Sequence, residues 1–391
     1  MYSIIFLLIL IFLLLIILFK LLNFNKNYIM CILITVSIFF FISNLSSCID
    51  AALVGLNLVI KTILPTIFPF SVICNLLISY DGINLYSKIL GPLICKPLRL
   101  SKVCSFPIVA SMISGYPLGC KYCCDLYSND LISRKEFIRL LNIASNASPM
   151  FIIGSIGVTM FGNVKLGFIL LIANYLSPII VGILTIRNVD KMNVSKRIPS
   201  KSSAVNLGSA LKSALENGIT VTLQIGAFII LFSIIMSIIK NNAYISIIFS
   251  SIEELLNLPN YSLYGVFLGS IEFTNGCKLI STTTLSLPLQ LSIVSFICSF
   301  SGLSVIAQIS SFTSEYNISL KKYTFYKILQ GIISFIITYF ISSLILITWP
   351  VSTTTNFLPM ANSSMIFYFT ALYLPLICIF FYSLYKKLHV S

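Results

Sequence analysis

The sequence predicts an all-α, polytopic membrane protein with inverted repeats, each containing a re-entrant helical hairpin and a discontinuous transmembrane helix. Three observations predict it. Hydrophobic residues make up 58% of the 391-residue chain and charged residues only 9%, a balance that soluble domains of this length do not show. Two short apolar stretches, one in each half, are broken by glycine, proline or charge. Basic residues also collect in loops that share one side of a bilayer when both broken stretches turn back.

In chain order, residues 2–19 are apolar, with no basic residue before them and Lys20 and Lys26 after them. No small-residue cleavage site follows, so this segment reads as an anchor with its N-terminus outside. A second span is expected over 28–48 and a third over 58–79, the latter carrying Pro65 and Pro69. A basic segment with Lys88, Lys96, Arg99 and Lys102 leads to the first broken stretch, 103–124. There Gly115 and Gly119 permit unusual backbone, Pro117 removes a donor and Lys121 adds a charge. The apolar piece before the break reaches only about 16 Å as a helix, half of a hydrocarbon core of about 30 Å. Lipid offers freed backbone groups no partner, so such a break must face protein or a water-filled cavity.

A mixed-charge helix around Arg134, Lys135, Glu136 and Arg139 precedes spans at 143–160 and 164–186. A polar linker, 187–212, then divides the chain, and the scheme repeats. A span at 217–239 leads to a loop with Glu253 and Glu254 and to the second broken stretch, 262–285, which holds Glu272, Asn275, Gly276 and Lys278. Spans at 288–311, 325–348 and 363–385 follow, with Trp349 at a boundary where interfacial aromatics are common.

The loops at 20–26, 88–102, 134–139, 187–212, 321–327 and 386–387 all fall inside under this topology. Of 25 Lys and Arg, only Lys61, Lys165, Lys240 and Lys278 fall outside. The net charge of +14 is therefore read as topogenic, and nucleic acid is not expected as a partner; the lipid bilayer is. Gly119-Cys120-Lys121 matches Gly276-Cys277-Lys278 at an offset of 278 − 121 = 157, and Pro69 falls on Gly226 at the same offset. Together with the topology, these identities predict the inverted repeat of many secondary transporters. The chain divides into N-terminal transmembrane helices (1–50), a first repeat (51–186), a cytoplasmic linker (187–212), a second repeat (213–348), and a C-terminal transmembrane helix with its cytoplasmic tail (349–391).

Each hairpin is followed by an interrupted span. The first reads Asn142-Ile143-Ala144-Ser145-Asn146-Ala147-Ser148-Pro149, and the second carries Ser299, Ser301, Gly302, Ser304 and Gln308. Hydroxyls and amides beside Pro or Gly suit an unwound helix whose half-helix N-termini attract an anion; small residues that pack helices are the plainer account of any single serine. Lys121 pairs naturally with Asp125 at i, i+4, whereas Glu272 has no basic residue within one turn. The candidate substrate-binding residues are Gly115, Tyr116, Gly119, Lys121, Asn146, Ser148, Glu272, Asn275, Lys278, Ser301 and Gln308. No cofactor or metal is expected: His389, in the tail, is the only histidine, and the 11 cysteines, without a pair of C-x-x-C motifs, read as apolar filling. No nucleophile and base pair suggests an enzyme.

Ser114-Gly115-Tyr116-Pro117-Leu118-Gly119-Cys120-Lys121, the run Asn146 to Gly154, Glu272 to Lys278 and Phe300 to Gln308 resemble the sporulation integral membrane proteins of the YlbJ, or SpoVV, family. The likeness covers nearly the whole chain and is weakest over the first 50 residues and the tail. Ser301 and Ile306 stand where Gly and His are expected. The resemblance implies a Gate, or nucleoside-recognition, domain arranged like the concentrative nucleoside transporters. It also implies a role in late spore maturation: passage of dipicolinic acid from mother cell to forespore across the outer forespore membrane. Dipicolinate is a small planar dianion, and the two hairpin lysines with helix N-termini would hold its carboxylates while Tyr116 or Phe273 covers the ring. A nucleoside-type permease and a non-transporting protein required for cortex assembly are the alternatives. The residues name neither a coupling ion nor an oligomeric state.

Overall fold

A computed structural model describes residues 26–186 and 206–348, with side chains at Lys26, Ile29 and 345–348 left aside. The N-terminal anchor, most of the linker, Trp349 and the last expected span lie outside the described residues. The described residues form helices and their connections, with no strand among them.

Helix α1 (Lys26–Ser43) ends at Asn44, whose side chain turns back to the Phe40 carbonyl at 3.0 Å. From there α2 (Leu45–Leu58) runs through a π-helical turn (Val59–Ile63) into α3 (Leu64–Ser79), one rod of 35 residues. The expected spans 28–48 and 58–79 are corrected accordingly: the joint is at Asn44, because nothing between Leu45 and Leu58 breaks a helix, and Asp50 is tolerated on an exposed face. The π-turn precedes Pro65, where a proline ring would crowd a regular ladder, and the wider turn relieves that crowding.

Helices α4 (Gly82–Ile89) and α5 (Gly91–Ile94) lead to the first hairpin, α6 (Ser105–Ser114) and α7 (Leu118–Ser128), joined through Gly115 and a cis Tyr116–Pro117 bond. Next comes α8 (Arg134–Ile143), started by a capping box in which Ser133 and Glu136 satisfy each other's backbone. The chain is then irregular until a π-helical segment (Met150–Met160), and α9 (Val164–Leu184) closes the first half. The mixed-charge helix is thus itself the first arm of the interrupted element, and the span expected at 143–160 begins only after the break. Burial of its charge is matched by acceptors: Arg139 donates to the carbonyls of Leu98, Arg99 and Gly182 at 2.8–3.4 Å.

The second half repeats the order: α10 (Leu207–Asn241), α11 (Ala243–Leu255), a hairpin of α12 (Ser262–Ile271) and α13 (Phe273–Ile280), a broken pair α14 (Leu287–Phe300) and α15 (Gly302–Phe312), then α16 (Leu320–Thr348). Asn206 caps α10, so this helix begins ten residues before the expected span and takes up the end of the stretch read as linker. Helix α16 likewise starts at Leu320, which makes Lys321, Lys322 and Lys327 helical; none of them belongs to a loop.

The two 35-residue rods pack antiparallel. Gly55 abuts Ile230 and Ser233, Gly226 abuts Val59, and Gly218 abuts Phe68 and Val72, so positions descend on one rod as they ascend on the other. Small residues let the backbones approach, and Ser237 donates across to the Ser47 carbonyl at 3.2 Å. Five helical segments among the described residues are long and apolar enough to cross a membrane: Leu45–Ser79, Val164–Leu184, Leu207–Asn241, Leu287–Phe312 and Leu320–Leu344. The hairpin arms, at 8–11 residues, are too short to do so. The core gathers around the hairpins and includes the buried thiols of Cys104, Cys120, Cys123, Cys277 and Cys298, which serve there as small apolar fillers.

Candidate functional site

Each hairpin tip sits in a break of a neighbouring helix. At the first tip Gly115 has φ +87°, a conformation open to glycine, and a Cβ there would lie 2.9 Å from the Ser148 nitrogen. Tyr116 donates its backbone N–H to the Asn146 carbonyl at 2.7 Å. A Cβ on Gly119 would come within 2.3 Å of the Ala144 carbonyl oxygen. The backbone of this hairpin therefore lies close against the unwound segment Ala144–Pro149 and supplies the Asn146 carbonyl with a partner. Ser111 joins in, its hydroxyl accepting from the Asn146 backbone at 3.2 Å and from the Asn146 amide at 3.3 Å. Ser148 turns its hydroxyl to the Phe151 N–H at the start of the π-helical segment.

The second tip is built differently. Glu272 leaves helical conformation, and its carboxylate caps α13 by accepting the N–H groups of Thr274 at 3.1 Å and Asn275 at 2.9 Å. It also accepts from the Thr274 hydroxyl and from the Asn275 amide at 2.7 Å. Lys240 reaches from the end of α10 to donate to the Asn275 side-chain oxygen. The hairpin arms cross backbone to backbone, since a Cβ on Gly276 would fall 2.2 Å from the Gly269 Cα. Ser301 and Gly302 both take left-handed φ, 71° and 74°, and a Cβ on Gly302 would stand 3.1 Å from the carbonyls of Gly269 and Ile271. The break between α14 and α15 thus receives the second tip.

Between the tips lies an aromatic contact. The Tyr116 ring meets Phe273 edge to face at 5.3 Å, and Phe273 meets Phe151 at 4.9 Å. The Tyr116 hydroxyl, the Ser299 hydroxyl and both amide atoms of Asn174 are buried without a protein partner. Buried polar atoms without partners are uncommon and costly, and of these the Tyr116 hydroxyl belongs to the aromatic contact between the tips.

The expected residues divide. Gly115, Tyr116, Gly119, Asn146, Ser148, Glu272, Asn275 and Ser301 all lie at the tips and breaks. Gln308 is buried one helix away, on α15. The structure does not bring the two lysines together. Lys121 is bound to Asp125 at 2.5 Å and lines a polar cavity of about 300 Å³ with Asn75, Ser79, Asn129 and Asn217. Lys278 is exposed on α13. The N-terminus of α13 is capped by the Glu272 carboxylate of its own chain.

The sequence reading missed three residues of α16. Lys327 is fully buried and donates to the Ser145 carbonyl at 2.8 Å and to the Gln330 side-chain oxygen at 2.8 Å. Gln330 donates on to the Asn146 side-chain oxygen at 3.2 Å, and the Tyr323 hydroxyl bonds that of Ser145 at 2.9 Å. A signal existed. Lys327, Gln330, Ser334, Thr338 and Ser342 recur at helical spacing within an apolar run, and all five are fully buried. Ser295 of α14 meets this stripe, with bonds to Ser334 and Thr338 at 2.6 and 2.7 Å. Among the described residues no group of His, Cys, Asp and Glu is arranged to hold a metal ion.

Residues 60–131 match the Gate family, described as nucleoside recognition. The chain is 31% identical over 313 residues to the sporulation integral membrane protein YlbJ of Bacillus subtilis, covering 74% of this chain and 76% of that protein. Two solved structures of CNTnw also align. One, in an outward-facing state, has 17% identity and a TM-score of 0.49 over 72% of this chain and 76% of its own. The other, in an intermediate 1 state, has 19% identity and a TM-score of 0.45 over 78% and 84%.

Proposed function

The chain belongs to the family of the sporulation integral membrane protein YlbJ, and from that premise we propose that it is a membrane transporter for a small organic anion, with dipicolinate as its substrate. In this reading dipicolinate passes from mother cell toward forespore across the outer forespore membrane. The observation that carries it is the pairing of two hairpin tips with two helix breaks around Tyr116 and Phe273. Irregular backbone at membrane depth is tolerated where it lines a substrate path, and broken helices meeting near the midplane are how secondary transporters build one. The antiparallel rods support the inverted arrangement of the two halves.

Tyr116 and Phe273 are assigned to the faces of the aromatic ring, with the Tyr116 hydroxyl as a donor to a carboxylate. Asn146, Ser148, Asn275, Ser301 and Gln308 supply the remaining polar contacts, and Gly115 and Gly119 the close backbone approach. Lys278, being exposed, acts on approach, and Lys121 lines the cavity on the other hairpin. A nucleoside substrate is the second reading. Glu272 and Asn275 form an acceptor-rich tip suited to hydroxyl groups, and Asp125 already neutralises Lys121. Uptake of labelled dipicolinate and labelled uridine into proteoliposomes separates the two. Dipicolinate uptake alone supports the proposal, uridine uptake alone replaces it, and uptake of neither favours a scaffold in cortex assembly.

A further inference from the structure

The buried lysine of α16 sits where a broken helix has most need of a cation. Ser145 lies two residues past the end of α8, among carbonyls with no partner in their own helix and at the negative end of that helix dipole. Lys327 brings an amine to the Ser145 carbonyl at 2.8 Å, a charge-assisted distance, and shares it with the Gln330 side-chain oxygen at 2.8 Å. Gln330 is tied in turn to Asn146, and Asn146 to Ser111 of the first hairpin. No carboxylate lies within ion-pair distance of Lys327 among the described residues, where the ion pairs are Lys121–Asp125 and Lys212–Glu216. Its amine is held instead by two oxygens, the Ser145 carbonyl at the break and the Gln330 side chain on its own helix.

Unwound carbonyls and half-helix C-termini are the groups with which secondary transporters coordinate sodium. Here an amine carried by the chain already holds the Ser145 carbonyl just past such a helix end. We infer that Lys327 is a tethered cation standing in place of a coupling sodium ion at the first helix break, so that this protein binds its substrate and cycles without sodium. The inference rests on the transporter reading for its consequence, but the occupancy of the site stands on geometry alone. At the second break the corresponding end is closed locally, with the Ser301 hydroxyl donating to the Phe300 carbonyl at 2.5 Å.

The test uses the full chain purified in detergent, with sodium, potassium and choline chlorides at equal ionic strength. The wild-type unfolding midpoint is expected to be the same in all three salts. Lys327→Ala opens the site, and its midpoint is expected to fall by several degrees in potassium or choline and to recover saturably with sodium. A saturable sodium shift in the wild type, or a folded Lys327→Ala protein indifferent to sodium, overturns the inference. Lys327→Ala that folds only in sodium supports it. If the variant cannot be purified in any salt, the wild-type titration decides alone, an absent shift supporting and a saturable one overturning. In proteoliposomes the initial rate of wild-type dipicolinate or uridine uptake is expected to be equal in sodium and choline, and a tenfold loss without sodium overturns the inference. Uptake of neither substrate under any salt removes the transporter reading, while the midpoints still report on the site.

Discussion

Tyr116 and Phe273 touch edge to face between the two hairpin tips, with ring planes at 85°, and they stand 273 − 116 = 157 residues apart. That is the offset separating Gly119-Cys120-Lys121 from Gly276-Cys277-Lys278, so two positions that the expected repeat pairs in sequence touch in space. The breaks keep the same register, Gly115 with Glu272 and Ala144 with Ser301.

Tyr116→Phe keeps the ring contact and removes a buried hydroxyl that lacks a protein partner. Stability is expected to hold or rise by about 1 kcal/mol, because an unsatisfied group is lost. Uptake is expected to fall. A thermal midpoint measured beside proteoliposome uptake checks both, and full uptake with Phe would remove the hydroxyl from the substrate site.

Gly276→Ala places a methyl group 2.2 Å from the Gly269 Cα, where only backbone could move aside. The expected cost is about 3 kcal/mol or more, at the upper end of overpacking effects. Membrane abundance on an immunoblot should drop sharply, and normal abundance would show that the hairpin arms are free to separate.

Lys278→Gln removes an exposed charge with few packing consequences. Abundance should be unchanged, while the apparent KM for dipicolinate rises several-fold at low salt and converges with wild type at high salt. A fall in abundance would make the lysine structural.

Topology follows from the basic loops. A membrane-impermeant thiol reagent on intact cells is expected to label Asn257→Cys and to spare Lys135→Cys, each measured above the parent signal. The reverse pattern, or labelling of both, would sink the two-hairpin arrangement.

Sporulating cells without the protein are expected to make dipicolinate but to hold it in the mother cell. Glu272→Gln weakens the cap of α13 by about 1 kcal/mol and is expected to lower spore dipicolinate at near-normal abundance. Normal dipicolinate content in the null strain would end the transport proposal; normal forespore content with missing cortex would favour the scaffold.

The breaks were legible because glycine, proline and charge inside an apolar run leave few alternatives at membrane depth. Gly115, Pro117 and Glu272 mark them in the sequence itself. Lys327 was not legible in the same way. A single lysine two turns into a span reads as the edge of a basic loop, and its burial depends on Ser145, 182 residues earlier in the chain. The joint at Asn44 was missed because neither glycine nor proline marks it, and the helix carries Asp50 on its exposed side without a break. The pairing of Lys121 with Asp125 could be read from i, i+4 spacing, but the capping of α13 by Glu272 needed the backbone to leave the helix at that residue.

The two antiparallel rods have a mechanical consequence for the membrane around them. Each has 35 residues and is roughly 50 Å long at the helical rise, whereas the hydrocarbon layer is about 30 Å thick. Neither can stand upright and keep its whole length in lipid. They lean, project beyond the layer, or thicken it locally, each at a cost of fractions of a kcal/mol per Å of mismatch. The first rod has few buried side chains, so lipid chain length acts directly on its inclination. Because Gly55, Gly218 and Gly226 lock the second rod against it, bilayer thickness becomes a control on the whole frame, and membranes of different acyl composition should tune its working rate.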